Sequence, residues 1–407
     1  MYKVDEIRLG FIGLGRRGRV LLKNILDLRE DVSVVAGCDL YPDRVDDFCA
    51  LVKEKRGAEP KGYASAAELL ADSEVNTVII SASWEAHVPL AIASMRAGKI
   101  TGLEVGGAYS LDDCFALVEA YRETGTPFML LENCCFGKNE LLVTNLVRKG
   151  LFGEVVYGHG AYCHDLREQI ASGAANRHYR LRNYLARNCE NYPTHELGPL
   201  AKILNINRGN RMLTLSSVAT KARGMSAFVR AKGEPGELLD KTFMQGDVVC
   251  TSIACADGSV ISLKLDTTLP HFYSREFTVC GTKGMFKEDG NIIFIDGKDN
   301  HKDGASQHYN NADAYHGEYL PTEWKTLTRE EMEAGHDGMD TLTLKAFFRC
   351  ARSGEEMPID VFDAAAWMAV TCLSETSIQM GGAPVEIPDF TSGEWVLREP
   401  RDVVDFK

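Results

Sequence analysis

The sequence predicts an α/β chain in two parts, a doubly wound parallel sheet followed by an α+β domain whose sheet is largely antiparallel. Three observations carry this. Apolar runs alternate with helical patterns from Ile7 to Glu132, which is how a parallel sheet with crossover helices is written. The first strand-to-helix junction reads Gly13-Leu14-Gly15-Arg16-Arg17-Gly18. Beyond about residue 150 the period changes to two, with Asp-Gly turns between the runs.

The elements follow in order. Ile7–Ile12 is an apolar run that reads as a buried strand, and it breaks into Gly-x-Gly-x-x-Gly before the helical pattern Val20, Leu21, Leu22, Ile25, Leu26. Gly13 permits the tight turn, Gly15 lets backbone approach a pyrophosphate, and Gly18 lets the helix sit close to the strand. A second strand, Val32–Cys38, ends in Asp39, about twenty residues beyond the last glycine, where an acid binds the ribose hydroxyls. A carboxylate there repels a 2′-phosphate, so NAD is expected over NADP; Arg44, a helical turn on, weakens that preference. A helix over Pro42–Arg56, a short segment at Tyr63, and a helix over Ala66–Ala71 capped by Ser65 come next. Strands are predicted at Thr77–Ser81, Ile100–Glu104 and Phe128–Glu132, with helices at His87–Ala97 and Leu111–Thr124. Ligands of such a Rossmann-type sheet lie beyond the C-terminal strand ends, which singles out the segments after Ser81, Glu104 and Glu132. The first domain is placed at 1–135.

A helix over Lys138–Lys149, closed by Gly150, leads into a second domain placed at 136–407, which would bind substrate and mediate oligomerisation. Strands are expected at Glu154–Cys163, Leu213–Thr220, Val248–Cys255, Val260–Asp266, Glu276–Cys280 and Asn291–Ile295. Ile261, Leu263 and Leu265 alternate with Ser262 and Lys264, as one buried face requires. Asp257-Gly258 and Asp289-Gly290 read as hairpin turns. Asp299–Glu318 reads as an extended loop, followed by helices over Asp340–Ser353 and Val361–Met380 and a tail from Pro388.

Composition narrows the class. A net charge of −13 over 407 residues argues against nucleic acid and anionic membranes. No apolar run approaches bilayer length, and the N-terminus enters the first strand at once, leaving no room for a signal peptide. A cytoplasmic protein is expected. The twelve cysteines form no Cys-x-x-Cys and read mostly as small core residues of a reducing compartment.

The stretch from Tyr162 to Pro199 is rich in hydrogen-bonding side chains: Tyr162, His164, Arg167, His178, Tyr179, Arg180, Tyr192, His195 and Glu196 among them. Loops of this kind need water or a polar ligand to satisfy them. His195 lies near a helix start, where the dipole favours a neutral ring able to act as a base. His164 and His178 read more simply as solvated loop histidines. Metal-ligand spacing on one helix is absent, so no metal is expected, and there is no Gly-x-Ser-x-Gly elbow.

The glycine motif, Asp39 and Ser83-Trp84-Glu85-Ala86-His87 resemble the Gfo/Idh/MocA group of NAD(P)-dependent sugar oxidoreductases. Most of that group carry Glu-Lys-Pro after the fifth strand, with the lysine moving a proton at the sugar hydroxyl. This chain has Glu104-Val105-Gly106, as does one branch, the NAD-dependent glycosidases of glycoside hydrolase family 109, typified by α-N-acetylgalactosaminidase. Glu132-Asn133-Cys134-Cys135-Phe136, Tyr162-Cys163-His164-Asp165, Tyr192-Pro193-Thr194-His195, Gly335-His336-Asp337-Gly338-Met339-Asp340 and Pro358-Ile359-Asp360-Val361 resemble that branch as well. The resemblance implies NAD contacts from Arg16, Arg17, Asp39, Trp84, His87, Glu104, Val105 and Asn133. It implies sugar contacts from Tyr162, Arg180, Tyr192, His195 and Tyr273. Two positions depart from the family's pattern: Glu196 stands for a glycine beside His195, and Tyr179 for a tryptophan before Arg180; both are taken as substrate contacts.

The implied function is NAD-dependent hydrolysis of α-N-acetylgalactosaminides or other α- or β-glycosides. It would run by C3 oxidation, C2 deprotonation, elimination of the aglycone, water addition and re-reduction, an exception to two-carboxylate hydrolysis. His195 would serve the C3 hydroxyl and Tyr162 or Tyr273 would deprotonate C2, its phenol made acidic by Arg180 or the nicotinamide. The alternatives are a sugar dehydrogenase that releases NADH and a non-catalytic sugar sensor. A homo-oligomer, a dimer through an open sheet face, is expected, with a small carbohydrate or glycoside as the ligand.

Overall fold

Six parallel strands, β1 (Ile7–Ile12), β2 (Val32–Cys38), β3 (Lys61–Tyr63), β4 (Thr77–Ile80), β5 (Ile100–Leu103) and β6 (Phe128–Leu130), pair in the order β3-β2-β1-β4-β5-β6. The computed structural model describes residues 2–232, 236 and 238–406. The chain reverses direction across the sheet between β1 and β4, and a crevice opens there at the C-terminal strand ends. β1 and β4 are apolar along nearly their whole length because helices cover both faces. Helix 16–28 buries Leu21, Leu22, Ile25 and Leu26 on one side of the sheet.

The second sheet has eight strands: β7 (Val155–Cys163), β8 (Met212–Ala219), β9 (Val248–Cys255), β10 (Val260–Asp266), β11 (Thr278–Gly281), β12 (Gly284–Lys287), β13 (Ile292–Ile295) and β14 (Val385–Glu386). Their order is β13-β12-β11-β7-β10-β9-β8-β14, antiparallel throughout except for the β7–β10 pair. Residues facing inward on β9 and β10, among them Val249, Ile253, Ile261 and Leu263, are fully buried, and helix 193–203 packs on this sheet at β7 and β10. Gly158 and Gly160 on β7 let that helix approach: a Cβ on Gly160 would lie 2.3 Å from the Glu196 carbonyl oxygen.

Several expectations are refined. The strand expected at Glu276–Cys280 begins at Thr278, because Glu276 takes a positive φ of 46° that a strand does not allow. The stretch expected as an extended loop at 299–318 is built of short turns, 305–307 and 311–315, that pack on β13 through Asn311. Cys250 is exposed, because it sits on the outward face of β9. The helix expected from His87 starts at Trp84, so that Ser83 is its N-cap.

Two late helices return to the first sheet. In helix 339–353, Thr341 accepts a hydrogen bond from Asn24 at 2.9 Å, and Phe347 fills the space left by Gly102 on β5. Helix 361–379 touches both sheets: the Ala108 amide donates to the Met368 carbonyl, and Ser377 accepts from the Ser217 amide at 2.8 Å on β8. Among the described residues, no helix is long and apolar enough to cross a membrane.

Candidate active site

The glycine turn after β1 leaves no room for side chains. Gly13 has φ +93°, and a Cβ there would lie 2.6 Å from the Ala82 nitrogen. A Cβ on Gly18 would sit 2.2 Å from the Gly13 carbonyl oxygen and 2.7 Å from Ser81 Oγ. Gly15 is the N-cap of helix 16–28, whose first turn has no side-chain cap and no acid, so its amides are available to an anion. The Asp39 carboxylate at the end of β2 accepts the Leu14 amide at 2.7 Å and the Tyr41 amide at 3.0 Å. Arg44 stands 3.5 Å from it and lies over the Tyr41 ring.

After β4 and β5 the wall is aromatic. Trp84 and His87 are buried, and Gly106 packs so tightly on them that a Cβ would lie 2.6 Å from Trp84 Cδ1 and 3.3 Å from His87 Nδ1. His87 Nε2 contacts the Ala82 carbonyl at 3.1 Å, and burial lowers its pKa to about 4, so the ring is neutral with Nε2 carrying the proton. Its Nδ1 and the Trp84 Nε1 are buried without partners. A buried donor and a buried acceptor left open in this way are what a polar ligand satisfies. With the glycine cradle they fit a dinucleotide. Val105 and Asn133 are buried in the same crevice, while Arg16 is exposed at its mouth.

Across the crevice, β7, the start of helix 193–203 and the loop after β10 bring together Tyr162, Tyr192, His195 and Tyr273. The Tyr162 ring lies 4.6 Å from Tyr192, 5.6 Å from His195 and 6.2 Å from Tyr273. Trp84 joins this group through Tyr192 at 5.7 Å and Tyr179 at 4.7 Å. The Arg180 guanidinium is buried over Trp84, at 4.8 Å, and over Tyr192, at 5.0 Å; its Nε and one terminal nitrogen have no partner. The sugar-contact positions thus converge on the cofactor cradle.

His195 faces Glu132 at the end of the β6 segment. Its Nδ1 lies 2.7 and 2.9 Å from the two carboxylate oxygens, so the ring donates from Nδ1 and leaves Nε2 free. Burial works against the Glu132 carboxylate, but the positive charge that His195 carries once it takes a proton and the hydrogen bond from its ring, with Thr194 and the Cys134 amide, outweigh it and hold its pKa below the ordinary value. Gly198 permits the close fit, since a Cβ there would lie 3.0 Å from Glu132 Cγ. Glu132, Cys134 and His195 offer one ligand atom each within 4.8 Å. The Glu132–His195 hydrogen bond already occupies two of them, and the Arg275 cation acts on Cys134.

Four findings differ from expectation. Glu196 is not brought into the cluster. Adjacent residues of a helix diverge by about 100°, so Glu196 turns away from His195 into a buried pair with Glu190, which is likewise almost fully buried. The Tyr162 phenol is not acidified: burial raises its pKa, with Arg180 the main opposing influence. His164 is not a solvated loop residue, because its Nδ1 lies 3.1 Å from the Tyr162 hydroxyl; burial and Arg180 lower its pKa and keep it neutral. His178 stacks on Tyr179 and accepts the Arg180 amide, a local cap.

Glu132 and His164 are the site residues that sequence reasoning missed. Two signals were available for Glu132, its place at the end of a strand on the ligand-binding edge of the sheet and the Glu132-Asn133-Cys134-Cys135-Phe136 motif, but neither gave it a role. Arg17, expected to contact cofactor, is held by carboxylates: Glu104 at 2.9 Å and Asp340 at 2.6 Å.

Comparisons with known proteins agree with this architecture. Residues 7–131 match the oxidoreductase family with an NAD-binding Rossmann fold (Gfo/Idh/MocA), and residues 136–397 match the C-terminal domain of glycosyl hydrolase family 109. An α-N-acetylgalactosaminidase of Tannerella forsythia is 36% identical, over 97% of this chain and 88% of that protein. A glycosyl hydrolase family 109 protein of Stenotrophomonas maltophilia is 37% identical, over 99% of this chain and 93% of its own. Among solved structures, an NAD-binding oxidoreductase from Klebsiella pneumoniae superposes with a TM-score of 0.69 at 16% identity, covering 95% of this chain and all of that one. The scyllo-inositol dehydrogenase of Lactobacillus casei, solved with NAD(H) and scyllo-inositol, gives 0.64 at 14% identity, covering 94% and 99%; at these identities the likeness is one of fold. The cofactor is NAD, and the chain, with its Rossmann domain joined to the family's own C-terminal domain, belongs to glycosyl hydrolase family 109 as an NAD-dependent glycosidase.

Proposed function

We propose that the protein hydrolyses glycosides by transient oxidation at C3 of the sugar, with its NAD kept in place throughout the turnover. When bound, NAD+ supplies a hydride acceptor for C3 and later returns the hydride. His195, fixed by Glu132 at Nδ1, takes the C3 hydroxyl proton at Nε2. With C3 a carbonyl, the C2–H is acidic, because the electron pair left behind spreads onto the carbonyl oxygen. Tyr162 removes that proton and passes its own phenolic proton to His164 Nδ1. A C1–C2 double bond forms as the C1–O bond to the aglycone breaks, and the aglycone oxygen takes its proton from water, which balances the proton released when a water molecule adds its hydroxyl to C1. Water then adds at C1, C2 regains its proton, and His195 returns one to the C3 oxygen as the carbonyl is reduced.

Arg180, with no carboxylate among its described partners, sits where negative charge develops on the sugar and stabilises it. Tyr192, Tyr179 and Tyr273 form the rest of the wall, with Tyr273 half exposed at its open side. The observation that carries this reading is the presence of two proton-handling pairs, His195–Glu132 and Tyr162–His164, whose facing rings are 5.6 Å apart. The Tannerella relative favours α-N-acetylgalactosaminides as the substrate class. Elimination does not require inversion at C1, so both anomers are open to cleavage.

The test is cleavage of α- and β-glycosides with free C3 hydroxyls in heavy water. The released sugar carries deuterium at C2 and no NADH accumulates. Product without deuterium at C2 rejects the mechanism, and NADH rising in step with substrate consumed identifies a dehydrogenase.

A further inference from the structure

The Gly335–Asp340 motif has no part in the chemistry above, yet it reaches the cofactor cradle. Asp340 stands in the first turn of helix 339–353 and is almost completely buried. Its two oxygens accept from both terminal nitrogens of Arg17, at 2.6 and 2.8 Å, and Oδ1 also accepts from Asn133 Nδ2 at 2.8 Å. Arg17 in turn holds Glu104 at 2.9 Å. One carboxylate from the C-terminal part of the chain therefore ties together the segments that follow β1, β5 and β6, each of which carries a residue expected against NAD.

The turn that delivers Asp340 is strained. His336, Asp337 and Gly338 have φ of +43°, +51° and +94° in succession. Two non-glycine residues in the left-handed region persist only where surrounding contacts over-determine them. Here that contact is His336 Nδ1 donating to Asp340 at 2.8 Å, beside the Arg17 guanidinium that shares the same carboxylate. His336 itself is half exposed, at the mouth of the crevice.

We propose that Asp340 is a positioning residue that clasps the cradle shut over the bound dinucleotide and so retains it from one turnover to the next. Release of the cofactor requires the segments after β1, β5 and β6 to part, and the Asp340 carboxylate holds the first and the last directly and the β5 segment through Arg17. This inference rests on the reading that NAD stays bound through turnover, but its test needs no glycoside.

The holoenzyme is loaded with labelled NAD+, freed of excess and chased with unlabelled NAD+, and the loss of label is timed. The wild type exchanges slowly, and Asp340→Asn exchanges at least about tenfold faster with its folded circular dichroism retained. A folded Asp340→Asn that exchanges at the wild-type rate overturns the proposal, even if its thermal midpoint falls, since that result marks a structural staple. If Asp340→Asn does not fold, His336→Ala, altered at a half-exposed position, decides: faster exchange supports the clasp and a wild-type rate overturns it. Complete exchange by the wild type within the mixing time overturns it as well. Slow exchange in a protein that cleaves no glycoside leaves the clasp standing and rejects only the hydrolytic reading.

Discussion

His195 shows how much one neighbour decides. An imidazole near a helix start could serve as a cap, but Glu132 at 2.7 Å chooses which nitrogen carries the proton and aims the other. Glu132→Gln keeps the shape and removes the charge, and it is expected to lower kcat about 100-fold with NAD content unchanged, read by product assay and cofactor absorbance on the same sample. Tyr162→Phe is expected to abolish deuterium uptake at C2 in heavy water, whereas Tyr273→Phe preserves it, since it is the Tyr162 hydroxyl that lies 3.1 Å from His164 Nδ1, while Tyr273 meets that ring edge-on. His195 could be singled out in the sequence by its place at a helix start. Its partner could not, because Glu132 lies 63 positions earlier and only packing brings the two together.

At the scale of the element, helix 193–203 is set by Pro193 in its first turn and by Gly198, where a side chain would strike Glu132. Its one acid, Glu196, faces Glu190 instead of sugar. Burial pushes Glu190 up to about 8 and Glu196 well above the ordinary carboxylate range. Both acids bind protons more tightly folded than unfolded, so the stability they allow is full below about pH 4.5 and falls as pH rises through about 8. Thermal midpoints across that window are expected to decline in the wild type and to flatten in Glu196→Gln. Gly18→Ala tests the first crossover: its methyl would meet the Gly13 carbonyl at 2.2 Å. It is expected to cost about 1–3 kcal/mol of stability in denaturant unfolding and to weaken NAD binding. The glycine spacing alone announced this turn, because its cause is local backbone geometry.

For the whole molecule, the two sheets share the late helices 339–353 and 361–379, so the cradle is completed by residues far along the chain. The outward face of the second sheet carries a registered row of small side chains, Ser216, Ser252 and Ser262, flanked by Thr214, Ala254 and Val260 on one side and by Val218, Cys250 and Lys264 on the other. A face with so shallow a centre suits a second copy of the chain. Light scattering is expected to give about twice 44.9 kDa, and Ser252→Arg, in the middle strand, to halve it.

The parallel strands, their glycine turn, the acid at the end of β2 and the identity of the cofactor were written locally, in periodicity and short spacings, and so could be read from the chain alone. The partners of His195, Tyr162 and Arg17 could not: each contact joins segments whose distance in sequence says nothing of their distance in space. Long-range packing also turned Glu196 inward and raised the tyrosine pKa values, since the direction of a side chain and the water left around it depend on every layer above it.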